Sequence, residues 1–128
     1  MIEIQKILDK GRGVICTQQI LKGTVIEIAP VSVIPHEQIC KIDGTEVFKY
    51  YFVQVDEYAD SSVYKAYLVF GLVSLSNHSE DPNSEVSWVE NEVGLWCHWI
   101  ATKNIEPGEE VTLCYANFEE YLDIHSTD

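Results

Sequence analysis

Basic residues are scarce in this chain of 128 residues: eight Lys and Arg stand against 21 Asp and Glu, a formal charge of −13. That scarcity argues against direct contact with nucleic acid, and against a protein held on anionic lipid by a basic patch. It fits solubility and it fits a basic partner, and composition leaves both readings open. No apolar run approaches the roughly 20 residues that a membrane helix requires. The chain opens Met1-Ile2-Glu3-Ile4 with neither a basic nor an apolar leader behind it. The expectation is therefore a soluble intracellular protein, cytoplasmic or nuclear, or in a host cell were the source a virus or bacterium. The four cysteines, Cys16, Cys40, Cys97 and Cys114, show no CxxC and no Cys/His spacing of the kind zinc uses. Reduced thiols and no metal are expected. Repeats, linkers and low-complexity stretches are also missing, so residues 1–128 read as one domain.

What is present is globular: 46% hydrophobic and 23% charged residues, in a chain long enough to bury one sizeable core. The charge is uneven. From residue 66 to 128 the only base is Lys103, against twelve acids. Short β-branched runs punctuated by Gly and Pro every eight to twelve residues point to a β-rich fold. Val14-Ile15-Cys16, Val25 to Ala29 and Val31 to Ile34 are such runs, the last bracketed by Pro30 and Pro35. Pro35 to Ile39 suits the start of a short helix. Aromatic Val47 to Val55 reads as a strand, and Tyr64 to Leu72 stays ambiguous between strand and helix. Val86 to Val89 and Leu95 to Ala101 flank a Gly-containing loop and read as a hairpin. Val111 to Tyr115 follows the Ile105 to Glu110 turn as a further strand, and Phe118 to Leu122 suits a helical turn.

Taken singly, the motifs are weak. Gly11-Arg12-Gly13 fits a tight turn, or a loop whose backbone approaches a ligand, but it lacks the third glycine of a dinucleotide fingerprint. Asn77-His78-Ser79-Glu80-Asp81-Pro82-Asn83 fits a loop of Asx and Pro turns. It also fits a segment carried inward by Leu72 to Ser76, where a buried Asn and His need polar partners. Tyr115 is by itself an ordinary half-buried tyrosine, and Trp88, Trp96 and Trp99 suit hairpin core or surface better than a ligand cage.

Their order is specific. Gly11-Arg12-Gly13-Val14, then Ile20-Leu21-Lys22-Gly23-Thr24-Val25-Ile26-Glu27, then Asn77-His78-Ser79-(x)2-Pro82-Asn83, then Ile105-Glu106-Pro107-Gly108-Glu109-Glu110-Val111-Thr112 and Tyr115 together resemble a SET domain, in its minimal viral and bacterial form. The resemblance implies a mainly β, β-clip-like fold of small sheets with few short helices and a C-terminal pseudoknot. It implies a protein-lysine N-methyltransferase with S-adenosylmethionine as donor, acting on a basic, lysine-containing segment such as a histone tail. Carried over by residue, Lys10, Gly11, Arg12, Gly13, Asn77 and His78 would hold the cofactor. Tyr115 matches the catalytic tyrosine, Tyr50 is taken as the second active-site tyrosine, and Tyr51 is placed beside it in the substrate channel. The chain departs from the pattern at Ser74-Leu75-Ser76 and at Glu80, and it has no CxCxxxxC extension after Tyr115. Phe118 and Tyr121, or a homodimer partner, are expected to close the channel instead. A SET-like module that binds peptide or cofactor without turnover is the alternative, and a plain β-rich structural domain a third.

Overall fold

Alternating apolar residues form the strands, and what each strand packs against decides its length. The computed structural model describes residues 1–59 and 63–116; the expected turn at 118–122 lies outside these. β1 (Ile2–Ile7) and β2 (Gly11–Cys16) form a hairpin with Ile4 opposite Val14. Next come β3 (Val25–Ile34), α1 (His36–Ile42), β4 (Tyr51–Phe52), α2 (Val55–Tyr58), β5 (Ala66–Val69) and β6 (Asn77–His78). The chain continues with β7 (Ser84–Asn91), β8 (Gly94–Ala101) and β9 (Thr112–Leu113). An antiparallel sheet runs in the order β4-β5-β3-β8-β7, while β6 and β9 pair in parallel. Mainly β structure in small sheets with few short helices agrees with the sequence.

Three segments differ from expectation. Pro30 does not divide two strands. β3 passes through it, pairing with β8 from Val25 to Pro30 and with β5 from Val31 to Ile34. Pro30 has no N–H for a ladder and supplies its carbonyl, which accepts from Phe70 N–H at 3.0 Å. The expected strand at Val47 to Val55 is mostly something else: a 3-10 turn over Glu46–Lys49, then the two residues of β4. Thr45 Oγ1 accepts from Val47 N–H at 3.3 Å and starts that turn. Its aromatics obey burial instead of ladder pairing, because Phe48 and Tyr51 join Ile39, Val53 and Ala66 in a second small core. Val111 to Tyr115 contracts to Thr112–Leu113, since β6 offers it only two residues.

The ambiguous Tyr64 to Leu72 segment becomes β5 followed by a 3-10 turn over Leu72–Leu75. A distant carboxylate caps the turn: Glu27 accepts from Leu72 N–H and Val73 N–H, both at 3.0 Å. Gly71 makes room for it, since a Cβ there would stand 2.5 Å from Glu27 Oε1 and 2.7 Å from Ala29 Cβ. The turn delivers the chain to Ser76 and Asn77.

The main core gathers Val14, Ile20, Val73, Trp99, Ile105 and Val111, all fully buried or nearly so. All four cysteines are free thiols, and burial, with the Glu27 carboxylate adding to it, pushes the Cys97 thiol up to about 12. Residues 105–111 lie antiparallel to residues 14–20 through Ile20–Ile105, Cys16–Glu109, Cys16–Gly108 and Val14–Val111 backbone bonds of 2.8–2.9 Å. β9 then pairs with β6, and Ser79 N–H donates to Leu113 O at 2.7 Å. The C-terminal segment is thus seated between β2 and β6, the expected pseudoknot. Two side chains stitch it in. Asn83 accepts from Thr112 N–H at 2.9 Å and donates to Glu110 O at 2.8 Å. Ser84 Oγ donates to Thr112 O at 2.5 Å and accepts from Trp99 Nε1–H at 2.8 Å.

Ser84→Ala would leave the buried Trp99 N–H and Thr112 carbonyl unpaired, each costing about 1–3 kcal/mol. Urea denaturation should show a loss of at least about 1 kcal/mol. An unchanged midpoint would contradict the stitch.

Candidate active site

β6 and β9, being parallel neighbours, bring three motif residues together. Asn77 lies opposite Thr112 and His78 opposite Leu113, so Tyr115 emerges beside His78. Tyr115 N–H donates to His78 Nδ1 at 2.9 Å, and the two rings sit 5.3 Å apart. The Tyr115 hydroxyl donates to the Ser76 carbonyl in a short bond. With Nδ1 accepting, the neutral His78 ring carries its proton on Nε2. Burial lowers the His78 pKa below its ordinary 6.5, against a weaker upward pull from Glu80.

On the other side of Asn77 the turn before β2 closes in. Asn77 Nδ2 donates to Arg12 O at 2.9 Å and to Glu110 Oε2 at 2.6 Å, and Lys10 Nζ pairs with Glu110 Oε1 at 3.0 Å. Gly11 and Gly13, expected in a tight turn or loop, lie in the first half of β2 and answer different demands. Gly11 has φ +82° with open space around it, a conformation glycine adopts without strain. Gly13 is a packing requirement: a Cβ would meet Ile7 Cγ1 at 2.6 Å, Glu110 Oε2 at 2.7 Å and Asn77 Nδ2 at 2.8 Å.

Two cavities meet at Tyr115. The smaller, about 110 Å³, is lined by Lys10, Arg12, Ser76 and Asn77 among others. The larger, about 370 Å³, is walled by aromatic and aliphatic side chains including Phe48, Tyr51, Phe52, Val86 and Trp88. Lys49, Tyr50, Ser74 and Tyr115 line both. The larger cavity is bounded by both edges of the five-stranded sheet: Phe52 on β4 and Trp88 on β7 meet at 6.1 Å. Tyr67 tilts over Trp88 at 5.1 Å and donates to both Glu57 oxygens, at 2.7 and 2.6 Å.

Of the residues singled out from sequence, Lys10, Arg12 and Asn77 share the smaller cavity, with Gly13 packed beneath Asn77 and His78 behind Tyr115. Tyr50 and Tyr115 stand where the cavities join. Tyr51 lines only the larger one, and its hydroxyl donates to Asp43 at 2.8 Å. Phe118 and Tyr121 lie outside the described residues. Three participants were missed. The Ser76 carbonyl is backbone and leaves no trace in the sequence. Glu110 was visible only as a motif letter. Trp88, read as hairpin core or surface, is a cavity wall; the aromatic residues near Phe52 were its one signal. Among the described residues, Glu85 is the only carboxylate lining the larger cavity, so most of the acidic surplus lies outside the cavity.

A SET-domain model matches residues 11–116, and the chain belongs to the SET-domain family. Curated proteins gave no match. Among solved structures, a proposed histone methyltransferase of Plasmodium falciparum is 26% identical with a TM-score of 0.69, over 89% of this chain and 91% of that one. The SET domain protein DIM-5 of Neurospora, a histone lysine methyltransferase, is 22% identical with a TM-score of 0.66, over 89% of this chain and 51% of that one. A Polycomb Repressive Complex 2 chain of Chaetomium thermophilum shares the fold at 16% identity and a TM-score of 0.69, over 91% of this chain and 15% of that one. Methyltransferases of the SET family use S-adenosylmethionine. The residues lining the smaller cavity suit the α-carboxylate end of such a group. Lys10, Arg12 and Lys49, three of the chain's eight bases, line that cavity with no carboxylate among the described lining residues, as an α-carboxylate would require.

A histidine whose pKa is lowered by folding stays neutral while the unfolded chain takes up protons. Its stabilisation is full above about pH 6.5 and is lost as pH falls toward the folded value. His78→Gln should therefore flatten the decline in urea midpoint between pH 7.5 and 5. Parallel pH slopes for variant and wild type would refute this.

Proposed function

We propose that the chain is an S-adenosylmethionine-dependent protein-lysine N-methyltransferase acting on a basic protein segment, with a histone tail as the leading class of substrate. The observation that carries this reading is the junction of two chemically different cavities at Tyr115 and Tyr50. One is cationic and polar; the other is aromatic and large enough for a lysyl side chain with part of its backbone.

When bound, the cofactor supplies an electrophilic methyl group on a sulfonium. Lys10, Arg12, Lys49 and Asn77 would hold it, with the backbone at Gly11 and Gly13 and with His78 behind. The protein's task is then mostly alignment, because methyl transfer to an amine is an in-line displacement. The target lysine must attack neutral, and an exposed lysine has a pKa of about 10.4. Phe48, Tyr50, Phe52 and Trp88 disfavour the ammonium by desolvation, so the proton leaves to solvent without a dedicated base. The Tyr115 hydroxyl donates its hydrogen bond to the Ser76 carbonyl, so that its phenolic oxygen can accept from an amine N–H and orient the nucleophile. His78 holds the Tyr115 backbone in place.

Incubation with labelled S-adenosylmethionine and a mixture of basic proteins should put label on lysine. Tyr115→Phe should cut the rate by roughly 10²–10³-fold while leaving cofactor affinity within a few-fold by calorimetry. Binding without label would point to a non-catalytic module instead. With a formal charge of −13, turnover of a basic peptide should also fall several-fold between low and roughly 0.3 M salt. Insensitivity to ionic strength would remove charge steering from the account.

A further inference from the structure

The Glu110 side chain ties Lys10, β6 and the C-terminal segment together beside the smaller cavity. Its Oε2 accepts from Asn77 Nδ2 at 2.6 Å and its Oε1 accepts from Lys10 Nζ at 3.0 Å. Asn83 binds its backbone carbonyl at 2.8 Å, and Ile15 forms a bridge with it across the sheet. The carboxylate is only 16% exposed, so water competes weakly for it. Lining the cavity falls to Lys10 and Asn77, not to Glu110. It acts behind the wall.

We infer that Glu110 is a positioning residue that fixes the Asn77 side-chain amide for the cofactor. An amide nitrogen has two hydrogens. One goes to Arg12 O and the other to Glu110 Oε2, so the amide cannot flip without losing both bonds, one of them charge-assisted. What Asn77 has left for a ligand is its carbonyl oxygen, an acceptor that selects an N–H donor such as an ammonium. Gly13 belongs to the same device, since any side chain there would push into the Asn77–Glu110 bond. Lys10 balances the charge that the carboxylate brings beside the cavity. The inference rests on the cofactor reading above, but the orientation of Asn77 is a property of the protein alone.

Two measurements separate these. Without cofactor, the two Asn77 side-chain amide protons of the wild type should be protected from exchange with water in NMR spectra, and Glu110→Ala should shift at least one of them and abolish its protection. By calorimetry, Glu110→Ala should weaken S-adenosylmethionine roughly ten-fold or more, with kcat at saturating cofactor within a few-fold. In an Asn77→Ala background the same change should cost less than about two-fold, because a positioning residue has nothing to add once its target is gone. Glu110→Gln keeps an acceptor for Asn77 and gives up only the half-exposed Lys10, so it should retain most of the affinity. Dispersed spectra report that each variant is folded, and Glu110→Gln serves should Glu110→Ala not be. Unchanged Asn77 signals, additive losses in the double variant, or a fall in kcat with affinity intact would overturn the inference. Wild-type protein that binds no S-adenosylmethionine would instead overturn the cofactor reading, while the ligand-free NMR comparison would still decide the role of Glu110.

Discussion

The site depends on a two-residue parallel ladder. Asn77 and His78 pair with Thr112 and Leu113, and little regular structure holds Tyr115 beyond that. So short a pairing has few bonds of its own, and it persists because the segment is also held elsewhere. Residues 105–111 zip onto residues 14–20, while Asn83 and Ser84 pin Glu110 and Thr112. Ser84 in turn leans on Trp99, the largest fully buried side chain. The site's geometry is therefore inherited from the main core through a chain of buried hydrogen bonds, whose loss leaves buried polar groups unpaired.

The two cavities differ in their walls. The side facing Lys10, Arg12 and Asn77 is built from backbone turns and charged groups, whereas the side facing Phe52 and Trp88 is built from rings. Trp88 is fixed from behind by Tyr67, whose hydroxyl is held by Glu57; burial, and then that carboxylate, raise the Tyr67 pKa well beyond the usual phenol range. The same economy appears at Glu27. One carboxylate caps the turn leading to Ser76 and requires glycine at position 71.

The β-rich class, the hairpin at Val86 to Ala101, the helix after Pro35 and the grouping of Asn77, His78 and Tyr115 were legible because each rests on local pattern or on motif order. Val47 to Val55 misled because its aromatics follow a small core built with α1, a tertiary demand that alternation does not encode. Pro30 misled because a proline is tolerated where a strand hands over from one neighbour to the next. Most of what completes the site is non-local. Ser76 contributes a carbonyl, which no side-chain pattern reports. The Tyr51 hydroxyl is claimed by Asp43, which separates it from the otherwise similar Tyr50. The acid excess gave a sign to the surface but not a location, and among the described residues only Glu85 brings a carboxylate to the larger cavity.

The knot-like seating of residues 105–115 also has a consequence in time. Val14 and Ile20 meet partners some ninety residues further along the chain, and such distant pairings form slowly because loop closure precedes any gain from contact. Until residues 112–113 are in place, β6 has no β9 to pair with. The smaller cavity, lined by Asn77 on β6 and by Tyr115 just after β9, is therefore complete only once both segments are in place. A chain ending before β9 would lack the tyrosine at which the two cavities meet.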